Sequence, residues 1–434
     1  MAMVVKNNMS AINTLNTLNK NTNALKKSLE KVSSGMKINS AADDASGYAI
    51  SERMRVQIRS LDQANQNAQN GGSMMKVAEG AVSSTVEILK TLKEKAVSAA
   101  NDTNTDSDRA TIQKELDQSI DQINDNANVT FNGKYLVDGS HNKETTATTT
   151  RMTNQSLNAT TTKATALTAL EARNGDSLNI HSTDTVTISY VKNGQTVTAS
   201  TQVGTKDLGT VISKLTGGAV TVAYAVATAS IGKDGSGNAV NTASGENAVT
   251  LTSKTAGIDG QIAGFTMYIT DNKGNVNKSA NASLDAFEES IRAVNESKDN
   301  SIVLQVGTKA GQSIKVGLTD MKATALGLQG KDGSTLSVAT QAKANAAINA
   351  LDAAIQKALD QQTSIGAAES RLEYTQANLT TASENVTSAE SVIRDADMAK
   401  EMTNYTKNNV LLQAAQSMLS QANQSSSNVL SLLQ

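Results

Sequence analysis

His141 and His181 are the only imidazoles in 434 residues, and neither belongs to an HExxH pair, the spacing that sets two zinc ligands on one helix face. No GxSxG elbow, GxxxxGK phosphate loop or GxGxxG turn occurs. The chain has no Cys, which removes disulfides, thiol nucleophiles and thiolate metal ligands. The nearest approach to a metal site is "DTNTDSDRATIQ", where Asp102, Asn104 and Asp106 take the spacing of a calcium loop. The sixth place is Ser107 instead of the Gly that permits the sharp turn, and the twelfth is Gln113 instead of a bidentate Glu. The stretch is expected to cap a helix, and the chain to be neither an enzyme nor a carrier of metal or cofactor.

The elements that would hold such residues are themselves unusual. There is no Pro, where average usage near 5% would give roughly 20, so long helices are free of the ring that breaks them. Trp is absent and aromatics are 2%, leaving Leu, Ile, Val, Met and Ala for the buried faces. A net charge of -2 offers no basic surface, so neither nucleic acid nor anionic lipid is an expected partner. Nowhere do about 18 apolar residues run together, and "MAMVVKNNMSAINTL" lacks the basic and apolar regions of a cleavable leader.

Periodicity is the strongest signal. Met54, Leu61, Ala68, Met75, Val82, Leu89 and Ala96 recur every seventh residue, beside a mostly small column of Ala64, Gly71, Ala78, Thr85, Leu92 and Ala99. The same step near the other end gives Leu351, Ala358, Ile365, Leu372, Leu379, Val386 and Ile393, accompanied by Ala354, Ala368, Thr375, Ala382, Ala389 and Ala396. The two predict long, supercoiled helices forming a rod. A shorter helix with Ile112, Leu116, Ile120 and Ile123 on one face should follow the first.

Between about 140 and 340 the pattern changes to strands. "TVTISYVKNGQTVTAST" alternates around Asn193-Gly194, the signature of a two-residue hairpin. "AVTLTSK", "GFTMYITDNKG", "SIVLQVG" and "QSIKVGL" read as further strands, and "SLDAFEESIRAVNES" (283–297) as a helix. The fold class is therefore α+β and multidomain: a coiled-coil or helical-bundle rod built from both termini, with a β-rich variable outer domain inserted in the middle.

The termini carry their own stripes, Leu18, Leu25, Leu29, Val32 and Met36 at one end and Leu411, Ala415, Met418, Ala422, Val429 and Leu432 at the other, with Leu433 beside the last. Ordering some 30 residues per end costs more than eight or so apolar side chains return. These ends are expected to be disordered in the monomer and to fold when copies bury one another's stripes.

"KVSSGMKINSAADDASGYAISERMR" (31–55) closely resembles the N-terminal signature of bacterial flagellins, and "LLQAAQSMLSQANQ" with "NVLSLLQ" the C-terminal one. The likeness covers about residues 1–140 and 340–434. It implies a filament subunit, exported unfolded through the flagellar type III channel, extracellular, and polymerised at the tip into the swimming propeller. It also implies a division into 1–40 plus 402–434 lining the inner tube, 41–140 plus 301–401 forming the outer tube, and 141–300 facing the medium. Implied partners are further copies of itself, an export chaperone, the cap and the hook-associated junction proteins. The alternatives are a hook–filament junction protein or a non-flagellar secreted coiled-coil adhesin.

Two departures from the family pattern stand out. A Pro common shortly after "QANQ" is replaced by Ser426, so the last helix should run on unbroken. Many flagellins are bound by a vertebrate Toll-like receptor. Here Leu89, Glu94 and Glu115 match the contact pattern, while Thr91 and Lys95 stand where Arg and Leu are usual. Weakened recognition is the expectation, with Lys95 placing a charge where an apolar anchor belongs. The Ser/Thr-rich segment 144–168 could be either an O-glycosylation tract or a solvated linker.

Overall fold

A computed structural model describes residues 8–224 and 230–431. Eight helices are present among them: α1 (Met9–Ser34), α2 (Ala45–Ala100), α3 (Asp106–Ala127), α4 (Leu208–Leu215), α5 (Lys278–Leu284), α6 (Ala323–Leu326), α7 (Gln341–Arg394) and α8 (Met398–Ser431). The strands lie in the middle of the chain. They are β1 (Thr130–Phe131), β2 (Lys134–Tyr135), β3 (Arg151–Asn154), β4 (Thr185–Lys192), β5 (Gln195–Gln202), β6 (Val220–Tyr224) and β7 (Ser230–Lys233). β8 (Ala239–Asn241), β9 (Val249–Ser253), β10 (Ile262–Thr270), β11 (Phe287–Ile291), β12 (Ile302–Gln305) and β13 (Ser313–Val316) complete them. With no Pro to interrupt them, α2 and α7 extend for 56 and 54 residues, and α8 passes through Ser426 without a break.

The chain divides into two compact units. One comprises Met1–Asn67, Gln305–Gln312 and Tyr374–Gln434; the other comprises Ala68–Leu304 and Ser313–Glu373.

In the second unit, the later part of α2 buries Ala68, Met75, Val82, Leu89 and Ala96 completely, and Gly71, Ala78, Thr85, Leu92 and Ala99 lie beside them in the interior. Leu116, Ile120 and Ile123 of α3 and Leu351, Ala358 and Ile365 of α7 are buried equally. Lys93 pairs with Asp352 at 2.5 Å across α2 and α7, and Lys95 with Glu115 at 2.9 Å across α2 and α3. The Asp102 turn is a cap. Thr105 and Asp108 form a capping box at the start of α3, and the buried Arg109 donates to the carbonyls of Ala99 and Asn101 at the end of α2. Its guanidinium also lies 3.3 Å from the Asp106 carboxylate. Gln113 instead pins the segment that leads into α7, donating to Leu336 O and accepting from Val338 N.

The strand-rich insert of this unit contains a three-stranded sheet, β10-β4-β5, and a four-stranded sheet, β11-β3-β9-β6. β4 and β5 pair without a bulge through Asn193 and Gly194, both at positive φ (50° and 72°), the geometry of a type I′ turn. Ile188, Tyr190, Met152, Leu251, Phe265 and Met267 belong to one core, sealed by Val211 and Ile212 of α4 and Leu284 of α5.

The expected helix over 283–297 is not formed. Residues 278–284 are helical, capped by Asn277, but Phe287–Ile291 pairs with β3 as β11. Leu284, Phe287, Ile291 and Val294 fit a helical period, yet Phe287, Glu289 and Ile291 also alternate. Edge-to-face packing of Phe287 on Phe265 (5.1 Å) and the free edge of β3 decide for the strand.

The insert meets α7 closely at Gly264. It has φ +59° at a bulge in the β10–β4 register, and a Cβ there would strike the carbonyl of Ala346. Around this seat, Arg292 bridges the almost fully buried Glu289 (3.4 Å) and Asp360 of α7 (2.8 Å), while Lys357 of α7 donates to Ala325 O. Burial pushes the Glu289 carboxyl up and the Lys357 ammonium down, the latter to about 8. On α2, Gly71 faces Leu304 of β12 so closely that a Cβ would lie 2.6 Å from its Cδ1.

Candidate assembly interface

The first unit places the two terminal helices together. α1 and α8 lie antiparallel, as their cross-links show: Asn8 donates to Ala422 O (3.2 Å), Asn21 to Leu411 O (3.3 Å) and Asn408 to Ser28 Oγ (3.1 Å). α1 ends at Gly35 in the left-handed conformation, bonded back to Lys31 O, which frees the chain to turn toward the end of α7. There Lys37 N bonds Arg394 O (2.8 Å), Ala396 N bonds Gly35 O (2.9 Å), and Met36 and Asp395 form an isolated bridge.

Arg394 anchors this joint. Its side chain is 7% exposed, donates to Glu52 on α2 (2.6 Å) and lies 5.4 Å from the ring centre of Tyr48. The hydrogen bond from Arg394 holds the Glu52 carboxyl below its ordinary range. Farther along, Arg55 faces Glu390 and Ser383 donates to Asp62, so the early part of α2 and the late part of α7 are antiparallel neighbours.

Among the described residues of α1 and α8, only Ser28 and Ala415 are buried. Of the expected inner-tube residues, Leu18, Leu25, Val32 and Ala422 are half-buried, whereas Leu29, Leu411 and Met418 are 51%, 41% and 60% exposed. Val429 lies in α8 with its side chain outside the described residues, as are Leu432 and Leu433 altogether. Met9, Ile12 and Leu15 on α1 and Met398, Met402 and Val410 on α8 add to the exposed set, each more than two-fifths uncovered. The sequence reading passed over these six. The spacing of three through Met9, Ile12, Leu15 and Leu18 was the available signal. It also missed Asn21, Ser28 and Asn408, whose polarity conceals them from any apolar pattern. The helix pair thus leaves a series of large apolar side chains uncovered.

The seam residues assigned to the rod divide. Leu61, Met75, Val82, Leu89, Leu351, Ile365, Leu372 and Leu379 are buried; Met54, Val386 and Ile393 are half-buried. Leu89 needs correction as a receptor contact: it is wholly enclosed in the interior of its unit and presents nothing to an outside molecule. Glu94 and Thr91 are exposed, Thr91 bonding back to Glu87 O, and Glu115 is engaged by Lys95.

Sequence comparison decides what family these helices belong to. The bacterial flagellin N-terminal helical region matches residues 5–142 and the C-terminal helical region residues 348–433. A flagellin of Clostridium tyrobutyricum is 35% identical over 423 residues, covering 97% of this chain and 99% of the relative. The chain belongs to the flagellin family. A flagellin of Bacillus subtilis is 30% identical, covering 99% of this chain and 100% of the relative; a flagellar filament 33 kDa core protein of Treponema phagedenis is 29% identical with the same coverages. Similarity to solved structures is weak. FliC of Burkholderia pseudomallei gives a TM-score of 0.27 at 17% identity, covering 69% of this chain and 99% of that one. Hook-associated protein 3 of Legionella pneumophila gives 0.35 at 16%, with 78% and 97% covered. As a flagellin, the chain is a structural subunit of the bacterial flagellar filament, and α1 and α8 lie in the regions that match the family. No helix among the described residues is long and apolar enough to cross a membrane.

Proposed function

We propose that this flagellin polymerises by burying the exposed apolar stripes of α1 and α8 among neighbouring copies, and that its work is mechanical, with no catalytic step. The observation that carries this reading is the mismatch between a helix pair that, among its described residues, buries only Ser28 and Ala415 and the large side chains it leaves uncovered. In this reading 1–40 plus 402–434 line the inner tube, 41–140 plus 301–401 make the outer tube, and 141–300 face the medium. Export proceeds unfolded through the flagellar type III channel with a chaperone. The absence of Pro and Cys favours it, since neither slow isomerisation nor disulfide exchange delays refolding at the tip. The cap and hook-associated junction proteins are the heterologous partners. Seeded growth followed by electron microscopy tests the reading. Full-length protein should extend filament fragments into long tubes while a chain lacking 411–434 should not; equal growth of both would overturn it.

Recognition by a vertebrate Toll-like receptor is proposed to be weak. The Lys95–Glu115 pair at 2.9 Å supports this, because a partner would have to break it to reach the carboxylate, and Leu89 is out of reach. A reporter-cell response equal to that of a receptor-competent flagellin would refute it.

A further inference from the structure

In the second unit, α7 begins beside the insert, and an open cleft of about 730 Å³ lies between its first turns, β10 and α5. Gln341, Asn345 and Asn349 recur at every fourth residue, so they form one row along α7, and all three line this cleft. Tyr268 of β10 and Asp285, just after α5, line it as well, with Ile348 of α7 supplying apolar surface and Lys278 of α5 a charge that balances Asp285. The side chains of Tyr268, Gln341, Asn345 and Asn349 make no hydrogen bond among the described residues. By contrast Asn281, which also lines the cleft, is spent on both backbone groups of Ile269.

We infer that this cleft binds a neutral, polyhydroxylated ligand of sugar size. Each primary amide offers a donor and an acceptor side by side, which suits a hydroxyl that both donates and accepts. Adjacent amides in the row stand roughly 5–6 Å apart at Cβ, so successive side chains can engage hydroxyls on opposite edges of one six-membered ring. A tyrosine ring and Ile348 suit the C–H face of the same ligand. Lysine and aspartate of opposite sign leave the cleft without the net charge that would select a phosphate or a cation. The volume falls in the ordinary range for small-ligand sites.

Saturation-transfer NMR on the full-length chain tests this, using methyl α-glucoside, methyl β-galactoside, methyl α-mannoside and methyl β-N-acetylglucosaminide in turn. Concentrations up to about 20 mM reach the weak affinities typical of a few hydrogen bonds. Transfer to the ring protons of at least one glycoside is expected, falling about fivefold or more in Asn345→Ala/Asn349→Ala. Should the double variant lose helix, Asn345→Leu at an exposed position takes its place. No transfer to any glycoside, or undiminished transfer in a folded variant, would overturn the inference.

Discussion

The guanidinium of Arg394, in the last turn of α7, donates to the Glu52 carboxylate of α2 at 2.6 Å and is almost wholly enclosed while doing so. One side chain thereby joins two long helices where α7 gives way to α8. Arg394→Ala removes this bond, the contact with Tyr48 and the packing of the stem. It should lower stability by roughly 1–3 kcal/mol in urea unfolding. Glu52→Gln should also destabilise, because the buried guanidinium loses its counter-charge. Glu52 has a depressed pKa, so its contribution is complete above the ordinary carboxylate range and is lost as pH falls through the lowered value. A Glu52→Gln chain should therefore show a flatter decline in acid than the parent; parallel declines would count against the pair.

Filament shape should respond to Gly71. Ala suits a helix better than Gly, so Gly71→Ala leaves α2 intact, but its methyl would intrude on Leu304 of β12. Dark-field microscopy of Gly71→Ala filaments should show an altered helical pitch, and an unaltered pitch would mean that this contact does not help set filament shape. The bulkier Ala382→Leu on α7 is the companion test.

Lys357 predicts an inverted alkaline response. Desolvation lowers its pKa to about 8 against the pull of Asp320 and Glu289, and Arg292 adds to the lowering. From about pH 8 to its ordinary value near 10.5 the unfolded chain holds a proton the folded chain has released, so this residue makes stability rise with pH. Comparing unfolding midpoints at pH 7.5 and 10, the parent should gain relative to Lys357→Met by on the order of 2–3 kcal/mol. No relative gain would mean the ammonium is solvated.

Amide exchange should separate the terminal helices from the rest. In the monomer, α1 and α8 should exchange far faster than α2 or α3, since they bury so little; in the filament they should be among the slowest. Slow exchange of α1 and α8 in the monomer would show that the pair is stable unaided.

Much of the architecture was legible because its signals are local. Asn193-Gly194 encodes its own turn, and the seven-residue columns through Met75, Val82 and Leu351 need only a neighbour to bury them. What escaped was decided at a distance. Phe287 could serve a helix or a strand equally until Phe265 and the edge of β3 were in place. Asn21 and Asn408 look like ordinary solvated amides until the opposite helix arrives. Leu89 satisfied two readings at once, and only burial distinguishes them. The seven-residue column through Leu379 continues by sequence into Val386 and Ile393, where covering surface thins out.

The acceptors used by Asn8 and Asn21 are main-chain carbonyls of α8, and every residue of a helix carries one. Displacing α8 along α1 by one turn, about 5.4 Å, would offer both donors an equivalent acceptor. Those two bonds therefore hold the helices together without fixing their register, whereas Asn408 on Ser28 Oγ, a side-chain acceptor found at one position, ties the pair to the register seen.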